Sequence, residues 1–282
     1  MFESQYPHHR FSRFIEILFC LAPVLAPMAF VTFAGCETTA DFRLPDNRFL
    51  TPEVRGETWS GRLALASYGS KTNVILARDE VPETRDGIVT VDNAGLREDD
   101  GFFLGADVSV GAGFELFSIN GGNGIKWQLT GDSEKVAKGG NTSLALALGY
   151  DAGTRRNSKT TERIRDIETH SRVKYEVIDL MGLAGFRLTD VALLYVNVAR
   201  ARFKGTGAIH HIVSSTAGSV YEDYTIASPE RAGEQWSALV GLRAVDELGA
   251  FGALEGGVAR TKMNGVEALA RPVFGVSTGV SW

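Results

Sequence analysis

From about residue 57 onward the chain alternates. Short runs place bulky apolar side chains on every second residue, with small or polar ones between, and turn residues separate the runs. Side chains along a strand point to opposite faces with period two, so each run predicts a strand with one greasy and one polar face. The tail from Arg271 to Trp282 shows this most sharply. Phe274, Val276, Thr278, Val280 and Trp282 share one side, while Gly275, Ser277, Gly279 and Ser281 share the other. A bulky outside, a small polar inside and a terminal aromatic suit a strand that crosses a membrane as part of a β-barrel.

Counting the runs gives ten strands, near 57–68, 101–110, 114–119, 125–130, 143–150, 173–187, 191–203, 236–243, 254–259 and 271–282. The predicted fold is all-β: a closed antiparallel up-and-down transmembrane barrel of about ten strands, with eight and twelve as neighbouring counts. With the C-terminus on the periplasmic side, the short connections at 111–113, 132–140, 188–190 and 247–250 all fall there. The long ones at 69–100, 153–172 and 204–233 all fall outside, which is the asymmetry such barrels show. The tryptophans predict two aromatic girdles, with Trp59 and Trp282 near the inner rim and Trp127 and Trp236 near the outer. Three strands are irregular. Glu115 shares a face with Phe117 and Ile119, and Asp179 shares one with Val177 and Met181, which suggests bulges. Arg200 and Arg202 share the parity of Val196 and Val198, near the outer rim where they can reach head groups.

The N-terminus reads differently. Arg10 and Arg13 precede an apolar stretch from Ile15 to Phe33, and Ala34-Gly35 supply small residues before Cys36. This is the pattern of a secretory signal over residues 1–35. Pro23 and Pro27 weaken the alternative of an anchoring helix, because interior prolines break helices. Phe33-Ala34-Gly35-Cys36 resembles the lipobox of bacterial lipoproteins, which implies acylation at Cys36, and Glu37 in place of Asp implies sorting to the outer membrane. Cleavage near Ala34 by ordinary signal peptidase is the other reading. Residues 36–56 are polar, carry two prolines and lack a clean period, so they predict a tether. The barrel itself is expected over 57–282.

Four segments, 191–203, 235–245, 251–261 and 271–282, resemble the last four strands of small bacterial outer-membrane β-barrels of the opacity/porin-like superfamily. The resemblance implies an integral outer-membrane location, contact with membrane lipid and lipopolysaccharide, and a terminal strand read by the barrel-assembly machinery. Members of that superfamily include adhesins and small pores.

Composition narrows the chemistry further. The 32 glycines exceed the usual ~7% and fit tight turns and close strand packing. The net charge of −5 argues against nucleic-acid binding, which calls for a basic patch. Cys20 and Cys36 both fall in or at the leader, so the mature barrel has no cysteine pair for a disulfide or thiolate metal site. Of the remaining histidines, His170 adjoins Ser171, and His210 adjoins His211. A hydrolytic site needs the base within hydrogen-bond reach of its nucleophile, and a metal site needs a ligand cluster. Neither pair supplies these, so no catalytic residue, metal or cofactor is expected.

The charges expected inside the barrel are Arg62, Asp107, Glu115, Lys126, Arg243 and Glu255. They predict a plug of paired side chains, because unpaired buried charge is costly, and a barrel of this size is nearly filled by its own side chains. The leading function is a structural or surface-interaction role. The alternatives are a narrow channel or transporter, an outer-membrane hydrolase, and a lipid-tethered soluble barrel that binds a ligand.

Overall fold

The computed structural model describes residues 38–79, 86–90, 93–119, 122–162, 165–215 and 220–282. The expected leader and the candidate acylation site Cys36 lie outside the described residues. Thirteen strands form one sheet: β1 (Thr39–Pro45), β2 (Gly61–Arg78), β3 (Asp86–Thr90), β4 (Gly95–Gly111), β5 (Phe114–Ile119), β6 (Gly122–Thr130), β7 (Thr142–Glu162), β8 (Arg165–Arg187), β9 (Ala192–Ser215), β10 (Val220–Ala227), β11 (Arg231–Val245), β12 (Ala250–Met263) and β13 (Val266–Ser281). The pairing runs β11-β12-β13-β2-β4-β5-β6-β7-β8-β9, and β9 returns to β11 to close a ring. With β1, β3 and β10 off the ring, ten of the thirteen form the wall, and neighbouring wall strands are antiparallel. Closure leaves no unpaired sheet edge within the ring, the condition for strands to cross hydrocarbon.

Polarity is inverted across the lower wall. Leu144, Leu146, Leu148, Leu180, Val196, Val198, Val240, Leu254, Phe274 and Val280 face outward and are exposed. Arg62, Glu115, Lys126, Arg243 and Glu255 face inward and are buried. A water-soluble barrel would do the reverse, so this wall is built for lipid. On β8 the outward apolar band runs from Ile178 to Phe186, close to the ~9–11 residues a tilted strand needs to span a bilayer. Inward residues on β8 have odd numbers, so Asp179 lies inside with Val177 and Met181 and needs no bulge. The same holds for Glu115 and Phe117 on β5.

The long outer connections are not loops. β7, β8 and β9 run for 21, 23 and 24 residues, so the expected loops at 153–172 and 204–233 are largely strand. The expected loop at 69–100 holds the upper half of β2, β3 and the start of β4. In β7 to β9 the outward polar side chains stay solvated while the inward ones pack, so the backbone continues its ladder beyond the membrane. β10 adds to the outer part of β9 and pairs in parallel with β3. Here polarity reverts to the soluble kind, with Val173, Tyr175, Phe203, Ile209, Tyr224 and Ile226 buried inside.

The expected tether at 36–56 is corrected most. Thr39 pairs with Arg78 and Pro45 with Lys71, so β1 enters at the long-hairpin end and descends along β2 above the point where β13 leaves it. Phe42 stacks on Tyr175 at 4.9 Å and meets Phe203 edge-on at 5.7 Å, which joins β1 to the opposite wall. Residues 46–55 then pass down the lumen, buried throughout except for partly exposed Phe49. Below Pro45 the segment has no alternating period with which to join the wall, but its charges match those facing inward.

An outward charge should oppose insertion. Val240→Arg is expected to cost roughly 2–4 kcal/mol, the penalty for a cation near the membrane midplane. Lys174→Arg, above the apolar band, should change stability by less than ~0.5 kcal/mol. Urea titration of the protein in vesicles, followed by gel mobility of the unheated barrel, measures both.

Candidate functional site

The site the fold builds is the occupied lumen. At its upper level Asp46 receives Arg271 at 2.5 Å and the Gln235 amide at 2.7 Å. Arg48 crosses the lumen to Asp179 on β8 at 2.6 Å. The backbone N–H groups of Arg48 and Phe49 donate to Glu255 at 3.1 and 2.9 Å, and the Tyr195 hydroxyl donates to the same carboxylate at 3.1 Å. Two glycines make this packing feasible. A Cβ on Gly275 would sit 2.7 Å from the Phe49 ring, and one on Gly241 would overlap the Tyr195 ring where it crosses to Glu255.

At mid-height Leu50 packs with Phe117, Met181 and Leu183. Lys126 donates to the carbonyls of Thr51 and Glu53 at 3.0 and 3.2 Å and pairs with Glu115 at 2.8 Å. Glu115 also pairs with Arg62, which reaches Asp107 at 2.7 Å. Glu53 is held by Arg187 at 2.7 Å. The segment's own charged side chains thus complete pairs that the wall alone leaves open.

The short-turn end is closed from below. The turn between β6 and β7 folds inward, and Glu134 receives Arg55, Arg62 and Arg243 at 2.9, 3.2 and 2.9 Å. Burial alone would raise the Glu134 carboxyl. The guanidinium groups of Arg243, Arg62 and Arg55 outweigh it and lower the pKa to about 2. The Glu134 N–H donates to the Val54 carbonyl at 2.8 Å, so the turn and the threaded segment lock together. Two spaces between segment and wall measure about 50 and 40 Å³, enough for isolated waters and far from a continuous path.

The six charges expected inside the barrel all face the lumen, but they meet the threaded segment and the inner turn as well as one another. Asp46, Arg48, Glu53, Arg55, Glu134, Asp179, Arg187 and Arg271 join them. Of these, Asp179 and Arg187 were accessible from their shared parity on one strand. The rest lie outside the alternating runs, or beside a proline in the case of Arg271.

Trp59, Trp236 and Trp282 are exposed, and the Trp282 indole donates to the Trp59 carbonyl at 3.0 Å at the short-turn end. Trp127, expected near the outer rim, lies at the inner end instead. It is three residues from the end of β6 and stacks on Phe114, which follows the short turn. The cause is the shortness of β5 and β6, with 6 and 9 residues.

The histidines stand on the extended hairpins. His170 is exposed while Ser171 is buried, because consecutive strand residues face opposite ways, so this adjacency is no base–nucleophile pair. His210 meets Asp223 at 2.6 Å, and His211 stacks on Tyr224. Among the described residues no group of three or more His, Cys, Asp or Glu is placed to hold a metal.

No family model and no curated protein matches the sequence. Among solved structures, the crystal structure of Ail, the attachment invasion locus protein of Yersinia pestis, is 8% identical. The match covers 80% of this chain and 100% of that one, with a TM-score of 0.30. Ail in complex with the heparin analogue sucrose octasulfate is 10% identical over the same shares, with a TM-score of 0.31. A closed, apolar-out ring of ten antiparallel strands is the architecture of an integral outer-membrane protein.

Glu134 links the plug to pH. Its folded pKa of about 2 lies below its ordinary 4.5, so it contributes stability above pH 4.5 that is lost as pH falls toward 2. Glu134→Gln should remove that part of the acid transition. At neutral pH it should also cost about 3–5 kcal/mol, because three buried arginines lose a charged partner. Urea midpoints measured from pH 7 to pH 2 test both expectations.

Proposed function

We propose that this protein is a sealed outer-membrane barrel that serves as a structural and surface-interaction protein. The observation that carries the reading is the lumen: residues 46–55 fill it, tied to the wall at every level. The extended β7–β8 and β9–β10 hairpins stand above the apolar band and give the interaction surface. Their solvated outer faces, with Arg156, Arg172, His170 and His210 exposed or half-exposed, suit a polar or anionic partner on the cell surface. Lipid and lipopolysaccharide surround the wall, and the barrel-assembly machinery receives the C-terminal strand ending at Trp282. The role is non-catalytic.

Residues 1–35 act as the cleaved signal, and Cys36 becomes the acylated N-terminus. Thr38 stands at the long-hairpin end, where its carbonyl accepts the Asp79 N–H at 2.9 Å. A single acyl chain anchors only marginally, and the barrel supplies the second attachment.

Planar-bilayer recording separates this reading from a narrow channel. The full mature chain is expected to insert without unitary current steps, and reproducible steps from it would establish a conducting pore instead. Palmitate fed to growing cells should label the wild type and leave Cys36→Ser unlabelled.

A further inference from the structure

Just above the apolar band, the outward face of one side of the wall turns basic. Along β9 the outward residues run Leu194, Val196, Val198, then Arg200, Arg202, Lys204. Along β12 they run Leu254, Gly256, Val258, then Arg260, Lys262. The register sets these in rows across three strands. Trp236 lies between Arg200 and Arg260, and Glu234 lies between Arg202 and Lys262. An open groove of about 780 Å³ crosses the upper row, lined in part by Ile178, Arg202, Lys204 and Lys262.

Five cations and three acids, Glu176, Glu230 and Glu234, meet here. Arg200 pairs with Glu234 at 2.7 Å and lies over the Trp236 ring at 4.8 Å, and Lys204 pairs with Glu176 at 2.7 Å. Arg202, Arg260 and Lys262 are exposed and have no salt-bridge partner among the described residues. The chain as a whole is acidic, with a net charge of −5, so this concentration runs against its composition. Its level matters too. Arg200 and Arg260 sit level with Trp236, and Arg202 and Lys262 one step above it, where interfacial aromatics mark the boundary between tails and head groups.

We propose that this groove is a binding site for an anionic lipid of the outer leaflet. Its phosphate is held in the groove by Arg202 and Lys262, with Arg260 one row below them, and its acyl chains lie along Val196, Val198, Ala238, Val240 and Val258. The arginines offer paired donors to phosphate oxygens, and the lysine adds a mobile point charge. A lipid is the occupant because the outward positions just below these cations, Val198 on β9 and Val258 on β12, are apolar and exposed, so one molecule satisfies both surfaces. The site rests on the outer-membrane reading, since in water the same face would carry only counterions.

The test uses the full mature chain in phosphatidylcholine vesicles and follows quenching of Trp236 fluorescence, defined by difference from Trp236→Phe. Phosphatidic acid with brominated chains should quench with saturation at a low mole fraction, below that needed for brominated phosphatidylcholine. Replacing both Arg202→Gln and Lys262→Gln should raise the half-saturating mole fraction about tenfold or more. Lys135→Gln, at the opposite end and paired with Glu57, should leave it unchanged. Gel mobility confirms that each variant is folded. Equal quenching by both lipids, or quenching the double variant does not alter, overturns the lipid site while insertion stands. Reversal by inorganic phosphate shows a free-anion site and overturns the lipid as occupant. Failure of the wild type to stay with the vesicles after carbonate extraction overturns the barrel reading and the site with it.

Discussion

A closed ring of hydrogen-bonded strands divides side chains into two populations, those that face hydrocarbon and those that face the lumen. The second population sets the constraint on which this structure depends. Arg62, Glu115, Lys126, Arg187, Arg243 and Glu255 are all buried in a space only ten strands wide. Removing such charges from water is costly unless each finds a partner with good geometry. The wall supplies some of these partners, as in Arg62 with Asp107. The remainder come from residues 46–55 and from the inner turn at Glu134. The threaded segment is therefore the counter-charge that lets the lumen close.

The same strands obey two polarity rules along their length. In the lower wall of β8 and β9, apolar side chains face out and charges such as Asp179 face in. Higher up, Lys174, Glu176, Arg200 and Arg202 face out, while Val173, Tyr175 and Phe203 face in. The crossing point lies at Ile178–Glu176 on β8, Val198–Arg200 on β9 and Trp236–Glu234 on β11. A strand does not change its geometry at that point, but its solvent changes from lipid to water. β1 belongs to the upper regime, where Ala40, Phe42 and Leu44 fill an ordinary hydrophobic core. Below Pro45 the chain enters the lower regime, where its interactions become largely ionic and hydrogen-bonded. One continuous segment thus serves as core above and as plug below.

Much of the wall was legible in the sequence, because alternation with period two is a local property that reports burial directly. The even strand count, the short turns at one end and the inward charges all follow from that period. Two sequence expectations failed where the period was misread. At Glu115 and Asp179 a bulge was expected because each shares its face with apolar residues, yet Phe117, Val177 and Met181 point inward with them, toward Leu50 and β1. The outer stretches read as loops because strands solvated on their outer face lack a clean hydrophobic signal.

The sequence by itself determined that strands with a greasy outer face and a terminal aromatic would close into a membrane barrel. Periodicity is encoded residue by residue, and lipid imposes the same demand at every position. Only the tertiary structure decided what fills the barrel. Arg48 meets Asp179 and Glu255, and Glu53 meets Arg187, across separations of more than a hundred residues. No local pattern records such pairings, because a charge in sequence does not state which distant charge will neutralise it. The threaded path of residues 38–56 exists only once the ring around it has formed.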